Sequence, residues 1–437
     1  MVKERLNGIA REILSASDAD FTRVSISLSE TDLTRFANSE IHQNVSQENI
    51  GIGIELAYGS KHGFTTLDYP DPELIKSEIK ALKALVIAGK DDPEFCAARG
   101  ENHEYSEKYD EETASLGPKS MADIAGGIIA RTNKAGQESF GSLSLRREHE
   151  LLANSFGSKA FSEATVVELV TIPVKNERTT YNEFFSHRIS DYSEEALLAA
   201  PLSRMDLYKN FSDLKRGKYT VLLEEIAVSD IIRFFNYMVS SGRMLHEKQS
   251  AFYGNMGKEI TGKNLTLHDD HTDPRTVGKP YDSELNTKER IVLIENGVAK
   301  NVALNEKYSK LLGMKNNGHS VMGGQNTMCG NLRLETGDAP KDEIISGIEN
   351  GLLITRFHYT NVLDMRKTIF TGMTRDGMYI IKDGKLTGTG NNLRFTINIL
   401  DAFKNIKALG KELVCIGGVS VPCLKIEDFN FTGETRF

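Results

Sequence analysis

Apolar residues recur at every second position in one early stretch of the chain. Ile50, Ile52, Ile54 and Leu56 fall on one face of an extended segment, inside a longer strand-like run over residues 35–67. Strict alternation of this kind is typical of a half-buried β-strand. The beginning of the chain is therefore predicted to be an antiparallel meander.

Two turn dipeptides predict the same kind of structure later in the chain. Asn296-Gly297 separates IVLIE from VAKNVAL, and Asp383-Gly384 separates YIIK from KLTG. A tight hairpin turn needs two successive residues with positive φ, which Asn-Gly and Asp-Gly supply at low cost. The second half is therefore predicted to be mostly antiparallel sheet, with a few helices such as 341–350 and 399–407.

The first part of the chain contains a weak internal repeat. The tripeptide at 37–39, Ala-Asn-Ser, recurs at 153–155, and the alternating strand at 50–56 then corresponds to 166–172. In both copies the order is strand, tripeptide, strand, strand and then helix, and helices are predicted over 72–89, 118–135 and 193–199. This order predicts an internal duplication of the N-terminal part.

The apolar pattern breaks between Pro201 and Gly217, where charged residues cluster. Linkers between domains are commonly polar and exposed. We therefore predict an α+β fold with two domains. Residues 1–205 form an N-terminal antiparallel sheet with helices, and residues 206–437 form a mostly antiparallel β domain with a few helices.

Charge and cysteine content limit the functional classes. The 437 residues include 53 Lys and Arg against 61 Asp and Glu, a formal net charge of -8, which argues against a nucleic-acid binder. The four cysteines include no C-x-x-C pair, as expected of a reducing compartment. There is no signal-like apolar segment and no apolar run long enough for a membrane helix, so no membrane partner and a cytoplasmic location are expected.

His246 and Glu247 form a His-Glu pair of the kind that begins several zinc-hydrolase motifs. In the common form, a second His one turn later shares the ligand face, and the Glu activates a zinc-bound water. Here the residues at those later positions are Ser250 and Ala251, which are poor zinc ligands. From the residues alone, an ordinary surface His-Glu pair is the favoured interpretation.

The segment HDDHTD at 268–273 is dense in ligand atoms. In an extended strand, Asp269, His271 and Asp273 would share a face and could hold a divalent ion. The sequence at 272–274 instead favours a turn, in which Asp accepts local backbone hydrogen bonds. The turn is the preferred interpretation, because a metal site also needs ligands from elsewhere.

Two further segments are interpreted structurally. Cys415 and Cys423 lie in LVCIGGVSVPCLKI, which predicts two strands around a glycine turn and two buried cysteines. The glycine cluster GHSVMGGQNTMCG at 318–330 lacks the pattern of a phosphate-binding loop and predicts a loop that lines a cavity. Taken alone, these residues do not specify an activity.

Several segments together resemble the TldD/PmbA family, whose members have been called modulators of DNA gyrase and grouped with metallopeptidases. The resemblance begins with RFANSEIHQNVSQENIGIGIEL. It continues through GRMLHEKQSAFYGNMGKEI, LTLHDDHTDPRTVGKPYDSE and VLIENGVAKN, and ends with TGMTRDGMYIIKDGKL, NNLRFTINILDAFKNI and LVCIGGVSVPCLKI. The ordered set covers essentially the whole chain.

The resemblance implies a zinc site in TldD-like members, made by H-E-x-x-x-H and a Cys near the C-terminus, with the Glu as general base. Carried over, His246 and Glu247 occupy the first two motif positions, Cys415 stands near the third ligand, and Ala251 replaces the second His. Whether the chain is an enzyme is therefore left open. The chain resembles more closely the PmbA-like (TldE) kind, the non-catalytic subunit of a metalloprotease assembly that processes small or unfolded peptides.

On this interpretation no cofactor is expected, and the partners are a TldD-like subunit or a second copy of the chain in a dimer, together with peptides. The alternative is a self-sufficient zinc peptidase that uses His246 and Cys415 as metal ligands and Glu247 as the catalytic residue. A more distant alternative is a regulatory binding protein that modulates gyrase.

Overall fold

The computed structural model describes residues 1–435. The elements of the first part are α1 Val2–Ala16, β1 Phe21–Ala37, β2 Glu40–Tyr58, β3 Lys61–Leu67, α2 Pro72–Ala88, β4 His103–Lys108, α3 Glu111–Ala114, α4 Pro118–Lys134, β5 Glu138–Asn154, β6 Lys159–Lys175, β7 Arg178–Thr179, β8 Asn182–Ser186 and α5 Glu194–Arg204. Short 3₁₀ turns follow at Ile189–Asp191 and Met205–Lys209.

The remaining elements are mostly strands. They are β9 Phe211–Ser212, β10 Gly217–Leu223, α6 Glu225–Val239, α7 Gly242–His246, β11 Leu267–Asp269, β12 Ile291–Glu295, β13 Val298–Ala299, α8 Glu306–Leu312, β14 Ser320–Val321, β15 Asn326–Thr327, β16 Leu332–Leu334, α9 Lys341–Ser346, β17 Asn350–Asp364, β18 Ile369–Lys382, β19 Lys385–Gly390, β20 Leu393–Asn398, α10 Ile399–Lys404, β21 Ile406–Leu409, β22 Val414–Ile416, β23 Val419–Val421 and β24 Leu424–Glu434. This mixture is the predicted α+β class.

The first sheet has the order β3-β2-β1-β5-β6-β4, and β7 and β8 also pair with β6. Two long antiparallel hairpins, β1–β2 and β5–β6, meet where β1 pairs with β5 in antiparallel orientation. The predicted strands 50–56 and 166–172 are the second strands of these hairpins and occupy equivalent places on either side of the centre. The prediction that these strands occupy equivalent places is therefore confirmed.

Helices cover the two hairpins in a matching way. Side chains of α1 and α2, such as Ile13 and Ile75, pack with Ile26 and Ile54 of the first hairpin. Side chains of α4 and α5, such as Ile128, pack on the second hairpin. Ile52, Ile54 and Leu56 are buried, as their spacing predicts, but the opposite face is buried there too, at Glu55 and Ala57.

The repeated tripeptides differ in the turns that they form. Asn38 and Ser39 both have positive φ, 50° and 61°, and form the tight turn between β1 and β2. Asn154 ends β5, and its side-chain oxygen accepts hydrogen bonds from the backbone of Phe156 and Ser158, both at 3.1 Å. The two copies thus occupy equivalent positions at the ends of β1 and β5, but their turns differ in geometry.

In the second part, five strands form a closed sheet. β10 pairs with β17 in parallel, and β17, β18, β20 and β24 continue antiparallel until β24 returns to β10. β19 and β9 extend this sheet from β18, and β21 adds to β24. Closure pairs both edges of the five strands, which protects them from pairing with other chains.

A smaller sheet in the order β13-β12-β11-β16-β23-β22 packs beside the closed strands, with α6 between them. The buried face of α6 includes Ile231, Ile232 and Phe235, at the spacing expected of an amphipathic helix. This packing fixes the end of α6 and the short helix α7 that follows it, whose last residue is His246.

The hairpin predictions are confirmed, because Asn296-Gly297 and Asp383-Gly384 all have positive φ. Two predicted helices are shorter than expected. α9 ends at Ser346 because Asn350 already begins β17, and α10 ends at Lys404 because Ile406 begins β21. Within residues 1–435, no helix has the length and apolar character needed to cross a lipid bilayer.

The predicted break at 201–217 contains ordered structure. Pro201 lies inside α5 and is buried, and β9 pairs with Thr389 and Gly390 of β19. Many residues from Lys209 to Arg216 are nevertheless exposed. The division into 1–205 and 206–437 stays a prediction.

Candidate functional site

A cavity of about 450 Å³ lies between the two parts of the chain and contains His246 and Glu247. We call it the central cavity. Its walls come from the first sheet and the loop after α2 on one side, and from α7, α8 and the β14–β15 turn on the other. The lining residues are Arg23, Glu55, His62, Asp92, Glu94, Phe95, Cys96, Arg243, His246, Glu247, Glu284, Lys307, Tyr308, Gly323, Gly324 and Gln325.

The glycine cluster forms one wall of this cavity, as the sequence predicts. Gly323 and Gly324 both have positive φ, 61° and 82°. A Cβ on Gly324 would lie 2.7 Å from the Glu284 carboxylate, and the carbonyl of Gly323 accepts a hydrogen bond from Arg23. Glycine is needed here because the backbone turns sharply and passes close to buried charges.

The helix that carries His246 is too short to continue the zinc motif. Ser241 caps α7 by accepting a hydrogen bond from the backbone of Met244, and the helix ends at His246. Glu247 follows as the C-cap residue, and Lys248 has a positive φ of 61°. The chain therefore turns away immediately after the His-Glu pair, and later residues do not share its face.

The two residues at the later motif positions are committed to the protein core. The Ser250 hydroxyl donates to the carbonyl of Val239 at 3.1 Å and accepts from the backbone of Phe252 at 3.1 Å. Ala251 is 3% exposed and belongs to the main hydrophobic cluster. Neither residue faces His246 as a ligand would.

His246 and Glu247 are themselves exposed at the mouth of the cavity. The Glu247 carboxylate accepts a hydrogen bond from Arg243 Nε at 2.8 Å. The His246 ring lies 6.3 Å from the ring of Tyr308, measured between centroids. This arrangement is a surface ion pair beside a His, as the residues alone suggested.

The opposite wall carries a network of charges. Arg23 pairs with Glu55, and His62 lies 3.4 Å from Glu55 and 3.3 Å from Asp92. The hydrogen bond to Glu55 is the main reason that the pKa of His62 is raised, and burial opposes it. Lys307 of α8 reaches across to Asp92 at 3.4 Å. The network therefore joins the two parts of the chain around the cavity.

Glu284 is the most strongly perturbed acid of the wall. Its side chain is 4% exposed, and its carboxylate lies 3.9 Å from Arg23 Nη1. Burial raises the pKa of Glu284 to about 7, although the charge of Arg23 opposes the shift. Sequence reasoning missed Arg23 and Glu284, because their meeting depends on the packing of distant segments.

Cys415 lies in β22, in different surroundings. It is buried, pairs across the hairpin with Ser420, and is not among the cavity-lining residues of the described chain. Burial raises the pKa of its thiol to about 11, so the thiol is protonated at neutral pH. Cys423 is likewise buried, as predicted.

The positions of a TldD-like zinc site do not come together in this chain within residues 1–435. Within residues 1–435, the group of three His, Cys, Asp or Glu side chains close enough to share an ion is Asp269, His319 and Cys329. Neither His246 nor Cys415 belongs to it. The residues around His246 therefore do not fit the three-ligand site of a catalytic zinc.

The HDDHTD segment divides between a strand and a turn. Asp269 ends β11 and is buried, whereas Asp270 and Asp273 accept hydrogen bonds from the backbone of Thr272 and Arg275. The preferred turn interpretation therefore holds from position 270 onward. Asp269 alone joins His319 and Cys329, and the only sequence signal for those two was their place at the ends of the glycine cluster.

Comparison with known proteins agrees with the resemblance. Residues 216–433 match the family model described as the PmbA/TldA metallopeptidase C-terminal domain. The chain is 26% identical over 261 residues to a metalloprotease TldD homolog of Buchnera aphidicola, covering 56% of this chain and 52% of the relative. It is also 26% identical over 278 residues to an uncharacterized protein of Methanocaldococcus jannaschii, covering 62% and 64%. The chain thus spans between half and two thirds of the length of these relatives.

Solved structures match over nearly the whole chain. TldE from Thermococcus kodakarensis has a TM-score of 0.85 at 16% identity, covering 98% of this chain and all of that one. A candidate modulator of a DNA gyrase from Thermotoga maritima has a TM-score of 0.83 at 16% identity, with the same coverage. These matches show a shared fold. The match to the family model over residues 216–433 and the sequence relatives show that the chain belongs to the TldD/PmbA family.

Proposed function

We propose that this chain is a PmbA/TldE-like subunit of a metallopeptidase assembly that processes small or unfolded peptides. In this role the chain supplies no hydrolytic metal. A TldD-like partner provides the zinc and the general base, and this chain contributes walls and substrate contacts. The other possible partner is a second copy of this chain, in a dimer.

The observation that carries the proposal is the end of α7 at His246. The positive φ of Lys248 and the burial of Ala251 remove the second ligand position from the face of His246. A catalytic zinc normally has three protein ligands and one open position. With Glu247 bound to Arg243, residues 1–435 offer neither the family's zinc site at His246 nor a free base beside it.

The central cavity supports a role in contacting substrate. Its volume of about 450 Å³ lies in the usual range for small-ligand sites. The wall presents the carboxylate of Glu94 and the ammonium of Lys307, which pair with each other at 3.1 Å, and the charged ends of a short peptide would exchange partners with this pair. The chain shares its fold with TldE from Thermococcus kodakarensis, which is consistent with this role.

The test is cleavage of an unstructured peptide by the purified chain, alone and after mixing with a TldD-like protein, each with and without a chelator. We expect no chelator-sensitive turnover by the chain alone and turnover with the partner. Glu247→Gln in this chain should reduce that turnover by only a few-fold, since loss of a true general base costs about 10²–10⁴-fold.

The matched control is Arg243→Gln, which breaks the same ion pair from its other side. If both variants lose activity equally, the ion pair has a structural role and the proposal stands. Chelator-sensitive turnover by the isolated chain that is abolished only in Glu247→Gln would overturn the proposal and establish a self-sufficient zinc peptidase.

A further inference from the structure

Three metal-binding side chains meet in the interior, away from His246. The ligand atoms of Asp269, His319 and Cys329 all lie within 4.8 Å of one another, and each residue is at most 1% exposed. Asp269 comes from the end of β11, and the other two flank the β14–β15 hairpin. We call these three residues the buried triad. Its members are separated widely in sequence, so the triad is a product of the tertiary structure.

Of the two carboxylate oxygens of Asp269, one accepts hydrogen bonds and the other accepts none. Oδ2 accepts hydrogen bonds from the backbone of Gly330 at 2.5 Å and Asn331 at 3.0 Å. Oδ1 is buried without a hydrogen-bond partner and lies 3.5 Å from His319 Nε2. Buried polar atoms are rarely left unsatisfied, so the orphaned oxygen needs an explanation.

The hydrogen bonds of His319 determine which ring nitrogen is free. Nδ1 lies 2.8 Å from the carbonyl of Asn317 and 3.0 Å from its side-chain oxygen. That oxygen also accepts from the backbone of Leu304, and the Asn317 amide nitrogen donates to the carbonyl of Val302, which fixes the amide orientation. Nδ1 therefore carries a proton, and in the neutral ring the lone pair is on Nε2.

A lone pair on Nε2 then faces a bare carboxylate oxygen, with a cysteine sulfur beside both. Metal-binding histidines commonly donate the other ring N–H to a carbonyl in this way, which orients the ring. The Nε2 atom is also buried without a hydrogen-bond partner. A cation between the three atoms would satisfy the unpaired groups together.

We propose that Asp269, His319 and Cys329 bind a divalent transition-metal ion, with zinc the best match to their oxygen, nitrogen and sulfur ligands. The sulfur binds as a thiolate, so the thiol releases its proton to solvent when the metal enters. Burial raises the pKa of the Cys329 thiol well above its ordinary value in the absence of metal. Metal affinity should therefore increase with pH.

The proposed ion would be structural. It would join β11 to both ends of the 319–329 segment, which supplies the glycine wall of the central cavity. The same segment contacts the start of α7, where Thr327 Oγ1 accepts from the backbone of Gly242 at 2.9 Å. Metal bound by the buried triad would thus stabilise the cavity wall without exposing an open position to substrate.

A competing explanation is an ion pair between protonated His319 and Asp269, with no metal. Lys288 also contributes positive charge near Asp269 and Cys329. This explanation accounts for the Asp269 oxygen, and the Cys329 thiol then serves only as a hydrogen-bond donor to that carboxylate. The two explanations therefore differ in their dependence on Cys329.

The test adds Zn²⁺ to metal-free full-length protein, removes the excess, and measures bound metal and the unfolding temperature. We expect one ion per chain and a higher unfolding temperature, because binding to the native state alone stabilises it. With Co²⁺ as the probe, we expect a sulfur-to-metal charge-transfer band. Cys329→Ser should remove the band, and His319→Gln should weaken binding by at least about 10-fold.

The matched controls are Cys415→Ser and His246→Ala, which change the family-type positions. If these controls retain the metal and Cys329→Ser loses it, the inference holds, whatever the outcome of the peptidase assay. Loss of metal in the controls with retention in Cys329→Ser would overturn it and revive the zinc-peptidase alternative. Absence of bound metal and of any shift in unfolding temperature in the folded wild type would also overturn it, in favour of the ion pair.

Discussion

The guanidinium of Arg23 donates a hydrogen bond to the backbone carbonyl of Gly323, which joins the first strand to the glycine wall of the cavity. The same guanidinium pairs with Glu55 and lies 3.9 Å from the carboxylate of Glu284. All three charged side chains are at most 7% exposed. One cation therefore compensates buried acids on both sides of the central cavity.

Replacement of Arg23 by Met should destabilise the protein by about 3–5 kcal/mol, because it leaves buried carboxylates without their counter-charge. Urea unfolding is the measurement. The control is Arg243→Met, which breaks the more exposed pair with Glu247 and should cost less than about 1 kcal/mol. Equal losses in the two variants would contradict the compensating role of Arg23.

Glu284 should make the protein less stable as the pH rises. Its pKa is about 7 in the folded protein, against an ordinary value of 4.5. Between those values the folded state binds a proton that the unfolded chain has released. Stability should therefore fall by up to about 1.4 kcal/mol per pH unit across this window.

Unfolding of wild type and Glu284→Gln, measured from pH 4.5 to 7, tests this linkage. The variant should lose the negative slope contributed by Glu284. Glu289→Gln, at an exposed position nearby, is the matched control and should retain it. Parallel stability curves for wild type and Glu284→Gln would show that Glu284 ionises alike in both states.

The connection after α5 should be the first site of proteolysis. Lys209, Lys215 and Arg216 are exposed there, and β9 between them is only two residues long. Short, exposed segments open locally at low cost. Limited trypsin digestion followed by mass spectrometry should detect initial cuts at these residues, and earlier cuts inside the first sheet would refute the proposed division.

Gly297 should resist substitution more strongly than a glycine of similar φ in open space. Its φ is 81°, and a Cβ there would lie 2.8 Å from the carbonyl oxygens of Thr261 and Gly262. Gly254 has a φ of 75° with no heavy atom near its Cβ position. Both Ala variants should lose about 1–2 kcal/mol of folding stability, because alanine is strained in the left-handed backbone conformation.

The steric contact should make Gly297→Ala the less stable of the two. Thermal or urea unfolding of the two Ala variants measures the difference directly. If Gly254→Ala were as destabilised as Gly297→Ala, the backbone contact would contribute nothing beyond the strain of positive φ.

Local chemistry explains which parts of the fold were predictable. The alternation at 50–56 and the turns at Asn296-Gly297 and Asp383-Gly384 depend on neighbouring residues alone. The cap residue Asp71 and Pro72 likewise mark the start of α2. Helix ends were less predictable, because α9 and α10 end where the next segment of the chain pairs as a strand, β17 and β21 respectively.

The candidate site was predictable only in part. The lack of a second His was visible in the sequence, since Ala251 stands at its position. That α7 ends at His246, and that Cys415 lies away from the cavity, depended on the packing of α6, α8 and the small sheet. Whether ligands from distant segments meet depends on the tertiary structure. The hydrophobic periodicity of a sequence does not predict it.

The sequence by itself determined the strands, the tight turns, the duplicated hairpins and the broken zinc motif. Tertiary structure alone decided that Arg23 meets Gly323 and that Asp269 meets His319 and Cys329. Backbone preferences act over a few residues, so they can be read from neighbouring side chains. Contacts across tens or hundreds of residues arise when sheets pair and close, which brings buried charges and ligands together only in the folded chain.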